Sequence, residues 1–364
     1  RGTRAAGAVV DENGLGPVKG KAVNAGPLKR SALGEPPAKA AVKGRGLAVR
    51  QPTALNARAN AFAAGPPTKR RVEVEVEIQT PQNGPVSMEC EMLTEDFVKE
   101  MKEYMYGLEE MYLVDEMFMS EKRVTTKMRS ILVDWIVQVH HRFHLLAETL
   151  HLTIYLMDRY LEVSEVEKEE LQLVGICSII AACKYEETYC PELKDFEYIT
   201  DNAYTRKQMI RMEQRVMKTA GFNFGRPHSI QFLRSYSQRC GLTDATMHCM
   251  AKYLSEMTLL DAPFSSIRPS TIAAASLWLA DQLRSTNLPL KAAFEGVAEP
   301  AKFMKEAIKV GKMMASCVLR VRTVGKLMTI TEKYASTKMC NVSEFSSTEN
   351  SVLETIVINA HNDQ

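Results

Sequence analysis

Two apolar helical segments rich in small side chains constrain the fold of this chain most strongly. The segments "LQLVGICSIIAACKYEE" (171–187) and "RPSTIAAASLWLADQL" (268–283) carry Gly, Ala, Ser or Cys on nearly every helical face. Neighbouring helices can approach such a helix at the low end of the roughly 8–10 Å interaxial range, which favours a position at the centre of a bundle. Their spacing predicts two helical domains of similar length. One large helical domain with two Ala-rich segments is the alternative.

Helical spacing of apolar residues continues through almost the whole chain after residue 94. The stretch "TEDFVKEMKEYMYGLEEMY" starts with a Thr N-cap and acidic residues in its first turn. Further helices are predicted over about 128–143, 147–162, 169–187, 194–200, 205–219, 228–240, 243–260, 269–284, 290–296, 300–320 and 324–336. The motif "GFNFGRP" interrupts the series after the fifth of these. The pattern predicts an all-α protein.

The N-terminal segment differs from the rest in charge and composition. Residues 1–71 contain fourteen Lys and Arg against three acidic residues, so they carry +11 while the remainder carries −9. A basic segment with Phe62 as its one aromatic residue buries too little apolar surface to fold, so we expect disorder. The alternating "VEVEVEIQ" (72–79) has no partner strand and is interpreted as linker. The cluster "KRR" (69–71) is a nuclear-import signal, a contact to nucleic acid or a solvated linker end.

Several functional classes find little support in the sequence. No run of about 18 apolar residues or signal-peptide pattern is present, so no membrane association is expected. The eight cysteines are scattered without a CxxC pair, which is typical of reduced thiols in an intracellular protein and argues against zinc. His140 and His144, with Glu148, have the spacing of a metal site on one helix, but solvent-facing histidines are favoured. We therefore expect no metal and no cofactor.

The stretch "KMRSILVDWIVQVHHRF" (127–143) is apolar on more than one side of its helix. Val133 and Val137 lie off the main apolar face, and Arg129 lies among apolar residues. The main face consists of Met128, Ile131, Leu132, Trp135, Ile136 and Val139. One apolar side can pack within its own domain, whereas a second, exposed side would mark a partner site. Ordinary core packing of both sides is the alternative.

Several long motifs resemble those of mitotic B-type cyclins. The first cyclin box is represented by "MRSILVDWIVQVH", "ETLHLTIYLMDRYL", "LQLVGICSIIAACKYEE" and "YITDNAYTRKQMIRMEQRVM", and the second box with its extension by "AKYLSEMTLLD", "PSTIAAASLWLA" and "KYASTK". The resemblance covers about 95–340. The tail motif "RSALG" resembles a destruction box through Arg30 and Leu33, although Ala38 replaces the Asn frequent in the family.

The resemblance implies two tandem five-helix cyclin-box domains, at 125–225 and 226–340. They would follow a disordered basic regulatory tail (1–86) and an N-terminal helix with its connection (94–124), and precede a C-terminal extension (341–364). It also implies a non-catalytic subunit that activates a mitotic cyclin-dependent kinase at the G2/M transition, docks RxL-type substrates and is destroyed through ubiquitin-ligase machinery. Such a protein would occur in cytoplasm and nucleus.

The resemblance also assigns roles to individual residues. Expected kinase contacts are Lys184, Glu213, Leu173 beneath Lys184, Tyr185, and Phe97, Met101 and Tyr104 of the N-terminal helix. The expected substrate-docking groove consists of Met128, Ile131, Leu132, Trp135 and Gln172, with Gln138 where some cyclins have an acidic residue. Arg129 and Asp158 are expected to form a structural ion pair. The alternative for Lys184 and Glu213, and for Arg129 and Asp158, is solvated surface charge.

A nucleic-acid-associated factor with paired cyclin-like repeats and a basic arm is the second hypothesis. A nucleic-acid-binding body would carry a basic face, whereas the body of this chain is net acidic. Nucleic acid is therefore not an expected partner. No sequence motif supports the hypothesis that the protein is a helical enzyme.

Overall fold

The computed structural model describes residues 95–362 apart from residues 295 and 296, and within this part it contains helices and no strands. The all-α prediction is thus confirmed. The tail, the "VEVEVEIQ" segment, the "KRR" cluster and the "RSALG" motif lie outside the described residues. The helices up to the middle of the chain are α1 (Glu95–Met111), α2 (Thr126–Phe143), α3 (Ala147–Val163), α4 (Leu171–Glu186), α5 (Leu193–Ile199) and α6 (Arg206–Thr219). They are followed by α7 (Ser229–Arg239), α8 (Ala245–Met257), α9 (Pro269–Arg284), α10 (Leu290–Ala293), α11 (Pro300–Val324), α12 (Thr329–Tyr334) and α13 (Ser347–Asn362).

The first bundle is built around α4, as its small residues predict. Apart from Gln172, every residue from Leu171 to Cys183 is buried, and α4 packs against α2, α3 and α6. A Cβ atom on Gly175 would lie 3.0 Å from Leu132 Cδ1, so the absence of a side chain there permits the close approach of α2.

The second bundle is built in the same way around α9. This helix packs against α7, α8 and α11, and Ala273, Ala274 and Ala275 are fully buried in it. Gly311 of α11 faces the Trp278 indole so closely that an added Cβ atom would overlap the ring. Small residues thus determine the closest helix contacts in both bundles.

Two helix predictions near the C-terminus were wrong. A break was expected at about residue 321, but α11 continues to Val324 and ends where Gly325 adopts a left-handed conformation with φ of 61°. The C-terminal extension was expected without a helix, yet α13 begins there. Its first turn has a capping box: the Ser346 N–H donates to Glu349 Oε2 at 2.6 Å, and the Glu349 N–H donates to Ser346 Oγ at 3.2 Å. The S-x-x-E signature was visible in the sequence.

The short helix α12 joins the two bundles through buried polar contacts. Thr329 donates its N–H and hydroxyl to Asp134 of α2, at 3.1 and 2.8 Å. On the other side, Glu256 of α8 accepts hydrogen bonds from Lys333 Nζ (2.9 and 2.7 Å) and from the Tyr334 hydroxyl (2.7 Å). Burial alone would raise the pKa of Glu256, but the Lys333 ammonium and its hydrogen bonds lower that pKa to about 2. The carboxylate therefore stays charged and paired across the neutral range.

Among the described helices, none combines the length and apolar content that a bilayer crossing requires.

The two histidines considered as metal ligands lie in different environments. His140 is 5% exposed, and its Nε2 atom lies 2.8 Å from the Leu146 carbonyl oxygen. His144 is exposed and caps the C-terminus of α2 in a left-handed conformation. The expectation of solvent-facing histidines is therefore wrong for His140. Burial, followed by the charge of Lys333, lowers the pKa of His140 to about 4.

We predict that acid destabilises the fold partly through His140. Between about pH 6.5 and pH 4, His140 binds a proton in the unfolded chain but not in the folded protein, where the imidazole is buried. The free energy of unfolding therefore falls as pH falls, and His140 contributes about 1 kcal/mol per pH unit to this decrease. The substitution His140→Gln should reduce that slope in urea unfolding measured from about pH 7 to pH 5. The matched variant His144→Gln, at an exposed position, should leave it unchanged. Equal slopes for the two variants would rule out the contribution of His140.

Candidate binding surfaces

Lys184 and Glu213, each predicted as a separate contact, form an ion pair. Lys184 lies in the last turn of α4 and Glu213 in the middle of α6, and Nζ lies 2.5 Å from Oε1. The Lys184 side chain is 52% exposed, whereas that of Glu213 is 5% exposed. Because an ammonium has three N–H donors, the pair neutralises the buried carboxylate and leaves Lys184 able to donate to a partner.

The prediction that Leu173 lies beneath Lys184 is wrong. Leu173 is buried in the first turn of α4, and Lys184 is in its last turn. Eleven residues of α-helix separate them by about 16 Å along the axis. Leu173 therefore belongs to the core and does not contact the lysine.

Exposed aromatic side chains occur at the end of α4, in the loop that follows it and in the loop after α6. Tyr185 is 54% exposed, and its ring centroid lies 5.5 Å from that of Phe224 in the loop after α6. Phe222, two residues earlier, and Tyr189, in the loop after α4, are also exposed. Sequence reasoning used "GFNFG" only as a helix break and so missed Phe222 and Phe224, although aromatic residues in a Gly-rich loop were the available signal.

The helix α1 directs an apolar stripe to the outside. Phe97, Met101 and Tyr104 are 50%, 39% and 67% exposed and recur at intervals of four and three residues, so they share one face. Within the described residues nothing buries this stripe. It fits the predicted contact with a partner.

The opposite side of α1 is attached to the second bundle. The Tyr106 ring lies 5.3 Å from the Phe232 ring, and its hydroxyl lies 3.1 Å from that of Tyr236. Glu109 is buried and accepts hydrogen bonds from the Ser270 N–H (2.9 Å) and hydroxyl (2.6 Å) at the start of α9. This carboxylate caps α9 and fixes the orientation of the exposed stripe. The sequence predicted helix α1 but gave no indication of its contact with the second bundle.

The predicted docking groove is part surface and part core. Met128, Ile131 and Gln172 are half-buried, whereas Leu132 and Trp135 are 6% and 8% exposed. The off-stripe residues Val133 and Val137 are fully buried, so the second apolar side of α2 packs inside the protein. The accessible part of the groove is its rim, formed by the three half-buried side chains.

Gln138 is engaged in the contact between α2 and α12. Its Nε2 atom donates to Thr329 Oγ1 at 3.0 Å and lies 3.5 Å from Asp134 Oδ2. The amide thus supports the junction between the bundles.

Arg129 and Asp158 form a buried ion pair that also reaches the second bundle. Arg129 Nε and Nη2 donate to the two Asp158 oxygens at 2.7 and 2.6 Å, and both side chains are almost fully buried. Arg129 Nη1 donates to the Leu259 carbonyl at 3.0 Å, and Nη2 also lies 3.1 Å from Ser265 Oγ. The Ser265 hydroxyl donates to Asp158 Oδ2 at 2.7 Å. The structure therefore brings the predicted pair together and adds a connection between domains that the sequence did not reveal.

The described residues include no cluster of three or more His, Cys, Asp or Glu side chains arranged to hold a metal ion. The surfaces above are suited to binding another protein through paired charges and exposed apolar side chains.

Comparison with protein families gives two adjacent matches. The cyclin N-terminal domain matches residues 100–225, and the cyclin C-terminal domain matches residues 227–348.

Individual proteins match across the same region. The chain is 41% identical over 267 residues to a G2/mitotic-specific cyclin-B from Patella vulgata, covering 73% of this chain and 64% of that protein. It is 39% identical over 274 residues to a G2/mitotic-specific cyclin-B2 from Oryzias luzonensis, covering 74% and 69%. The match thus spans less than two thirds of the Patella protein. A viral cyclin from herpesvirus saimiri has the same fold, with a TM-score of 0.51 at 16% identity over 60% of this chain and 97% of that chain.

We predict that breaking the Arg129–Asp158 pair strongly destabilises the protein. The substitution Arg129→Leu should lower the free energy of unfolding by about 3–5 kcal/mol, because it leaves a buried carboxylate without its counter-charge. The double variant Arg129→Leu with Asp158→Leu should recover much of this loss, since no lone charge remains. Urea unfolding of the full chain provides the measurement.

The control for this prediction is Arg211→Leu at an exposed position of α6. It should change the free energy of unfolding by no more than about 0.5 kcal/mol. A loss for Arg129→Leu no larger than that of the control would show that the pair does not stabilise the fold.

Proposed function

This chain belongs to the cyclin family, and we propose that it is the regulatory, non-catalytic subunit of a mitotic cyclin-dependent protein kinase at the G2/M transition. The family membership rests on the two domain matches and on the identity to G2/mitotic-specific B-type cyclins.

The proposed mechanism is stabilisation of one conformation of the kinase. Protein kinases need an ion pair between a lysine and a glutamate of the αC helix, which forms when that helix is held close to the active site. A partner that binds only this arrangement shifts the population towards the active state. The two bundles of this chain would supply the surface against which the mobile helix rests.

One observation carries the proposal: a half-exposed Lys184, fixed by Glu213, is followed by the exposed Tyr185 at the end of α4. The ammonium can donate to the unpaired carbonyl oxygens at the end of a helix. Tyr185 offers apolar surface beside it, and the stripe on α1 offers more. A charged donor amid apolar surface suits recognition of a helix terminus, because the charge selects the terminus and the apolar area contributes affinity.

We predict that Lys184→Ala with Glu213→Ala abolishes activation while the fold survives. Replacing both partners avoids leaving the buried Glu213 without its counter-charge. The full chain is mixed with a monomeric mitotic cyclin-dependent kinase, and phosphate transfer to a generic peptide is measured. Activation should fall by at least about tenfold, which corresponds to about 1.4 kcal/mol of lost binding or more.

The matched control is Lys302→Ala with Glu299→Ala, which removes an exposed ion pair at the start of α11. Its activation should equal that of the unmodified chain, and melting curves should show that both double variants are folded. Full activation by the Lys184/Glu213 variant would refute the proposed interface. No activation by the unmodified chain would refute the proposed function itself.

We further propose that the groove rim on α2 and α4 docks RxL-type substrate peptides. The support is the resemblance together with the half-buried Met128, Ile131 and Gln172, which leave apolar surface beside an amide. Leu132 and Trp135 would form the floor, since little of either is accessible.

The docking hypothesis predicts a substrate-dependent effect of Met128→Ala with Ile131→Ala. These positions are half-buried, so their truncation perturbs the fold less than truncation of Leu132 or Trp135. Phosphorylation of a substrate bearing an RxL motif should fall several-fold, and that of a generic peptide should stay constant. An equal loss on both substrates would assign these residues to the core.

We also propose that "RSALG" (30–34) directs ubiquitin-dependent destruction of the protein. The support is the match of Arg30 and Leu33 to the family motif within a basic segment poor in aromatic residues. Arg30→Ala with Leu33→Ala should lengthen the half-life of the full chain in mitotic extract. The control is Arg45→Ala with Leu47→Ala, which removes the same residue types from a nearby sequence. Equal half-lives for both variants would exclude the motif.

A further inference from the structure

A small polar cavity lies where the two bundles and the segment after α1 meet. Its volume is about 40 Å³. The side chains of its lining that matter here are His151, Tyr155, Asp158, Arg226, His228 and Ser265. Because one buried water needs about 10–15 Å³ by the same measure, the cavity has room for roughly three waters or one small polyatomic ion.

Arg226 brings a positive charge to this cavity. Its guanidinium carbon lies 4.7 Å from the centroid of the Tyr155 ring. Its Nε atom is buried and has no hydrogen-bond acceptor among the described residues, and within that part of the chain no carboxylate pairs with it. Burial lowers the pKa of Arg226, yet a guanidinium remains protonated at neutral pH. The Arg226 side chain as a whole is half-buried, and a partly desolvated charge without a carboxylate partner favours an anion or water beside it.

The carboxylate in the lining does not neutralise Arg226. Asp158 is bound at both oxygens by Arg129 and also accepts the Ser265 hydroxyl, so that pair is neutral as a unit. Glu109, which also acts electrostatically on Arg226, is occupied by Ser270. Both carboxylates are therefore already engaged by other groups.

Two histidines complete the lining of the cavity. The His151 and His228 rings are stacked with centroids 6.0 Å apart. Burial and the nearby His228 lower the pKa of His151 to about 3, and burial lowers that of His228. Both rings are therefore neutral near pH 7, and each neutral imidazole has one N–H donor. His228 Nε2 lies 3.8 Å from Glu186 Oε1 and interacts with that carboxylate, so His151 is the imidazole that can donate into the cavity.

We propose that this cavity binds a small inorganic oxyanion of the phosphate or sulfate class, held by Arg226. The planar fork of a guanidinium matches two oxygens of such an ion, and the N–H group of His151 can donate to a remaining oxygen. The cavity is bounded by α3, by the segment entering α7 and by the start of α9. A bound oxyanion would therefore stabilise the junction of the two bundles. None of the cavity residues named above is among the proposed kinase or substrate contacts.

The first experiment measures melting of the full chain in inorganic phosphate and in sodium chloride at equal ionic strength. Phosphate should raise the melting temperature saturably by several degrees more than chloride, because a ligand that binds only the folded state stabilises it. Arg226→Gln should raise the phosphate concentration needed for half of the maximal increase in melting temperature by at least tenfold. Arg226→Lys should raise it less, because lysine keeps the positive charge but lacks the planar guanidinium fork. The exposed Arg206→Gln is the control and should keep the full effect.

A second measurement remains informative if Arg226→Gln does not fold. Crystals of the unmodified chain soaked in selenate should show anomalous scattering within hydrogen-bond distance of the Arg226 guanidinium. Ordered waters in the cavity without an anomalous peak would overturn the proposal. An equal response of the melting temperature to phosphate and chloride would overturn it as well. Kinase activation is not used as a readout, so failure here is distinguishable from failure of the proposed function.

Discussion

The buried ion pair between Arg129 and Asp158 is the interaction on which the arrangement of the two bundles depends. Two charges with almost no solvent exposure are tolerated only when their geometry is good and their remaining donors are used. Here the guanidinium binds both carboxylate oxygens and also reaches the Leu259 carbonyl and Ser265 in the second bundle. The pair therefore stabilises the contact of α2 with α3 and, at the same time, the contact of α2 with the following domain.

This fixed junction has a consequence for the proposed activity. A surface that holds another protein's mobile helix gains affinity when it is already ordered before binding. Asp134 and Glu256 hold α12 between the bundles, and Glu109 holds α1 on the second bundle. Lys184 receives comparable support from Glu213. The exposed stripe of α1 and Lys184 are thus presented by elements that are each restrained by buried polar contacts.

The same junction contains two arginines in contrasting situations. Arg129 has a carboxylate partner and uses its donors within the protein, whereas Arg226 stacks on Tyr155 and leaves Nε without an acceptor in the described part of the chain. Such an unpaired buried group in an otherwise well-satisfied region calls for a physical explanation. An oxyanion in the adjacent cavity supplies one, because it would compensate the charge and join the surrounding donors.

Local sequence determined the all-helical fold and the central positions of α4 and α9, because periodicity and side-chain size are properties of short segments. The pair Arg129 and Asp158 was predicted through the resemblance to a family. Local sequence also contained the capping box of α13, which we overlooked. Only the tertiary structure decided that Lys184 binds Glu213, that Leu173 lies far from Lys184, that α1 attaches through Glu109, and that Arg226 faces a cavity. The reason is that helical periodicity specifies which face of a helix a residue occupies, whereas its partner depends on how separate helices pack, and that is determined by contacts between residues distant in the chain.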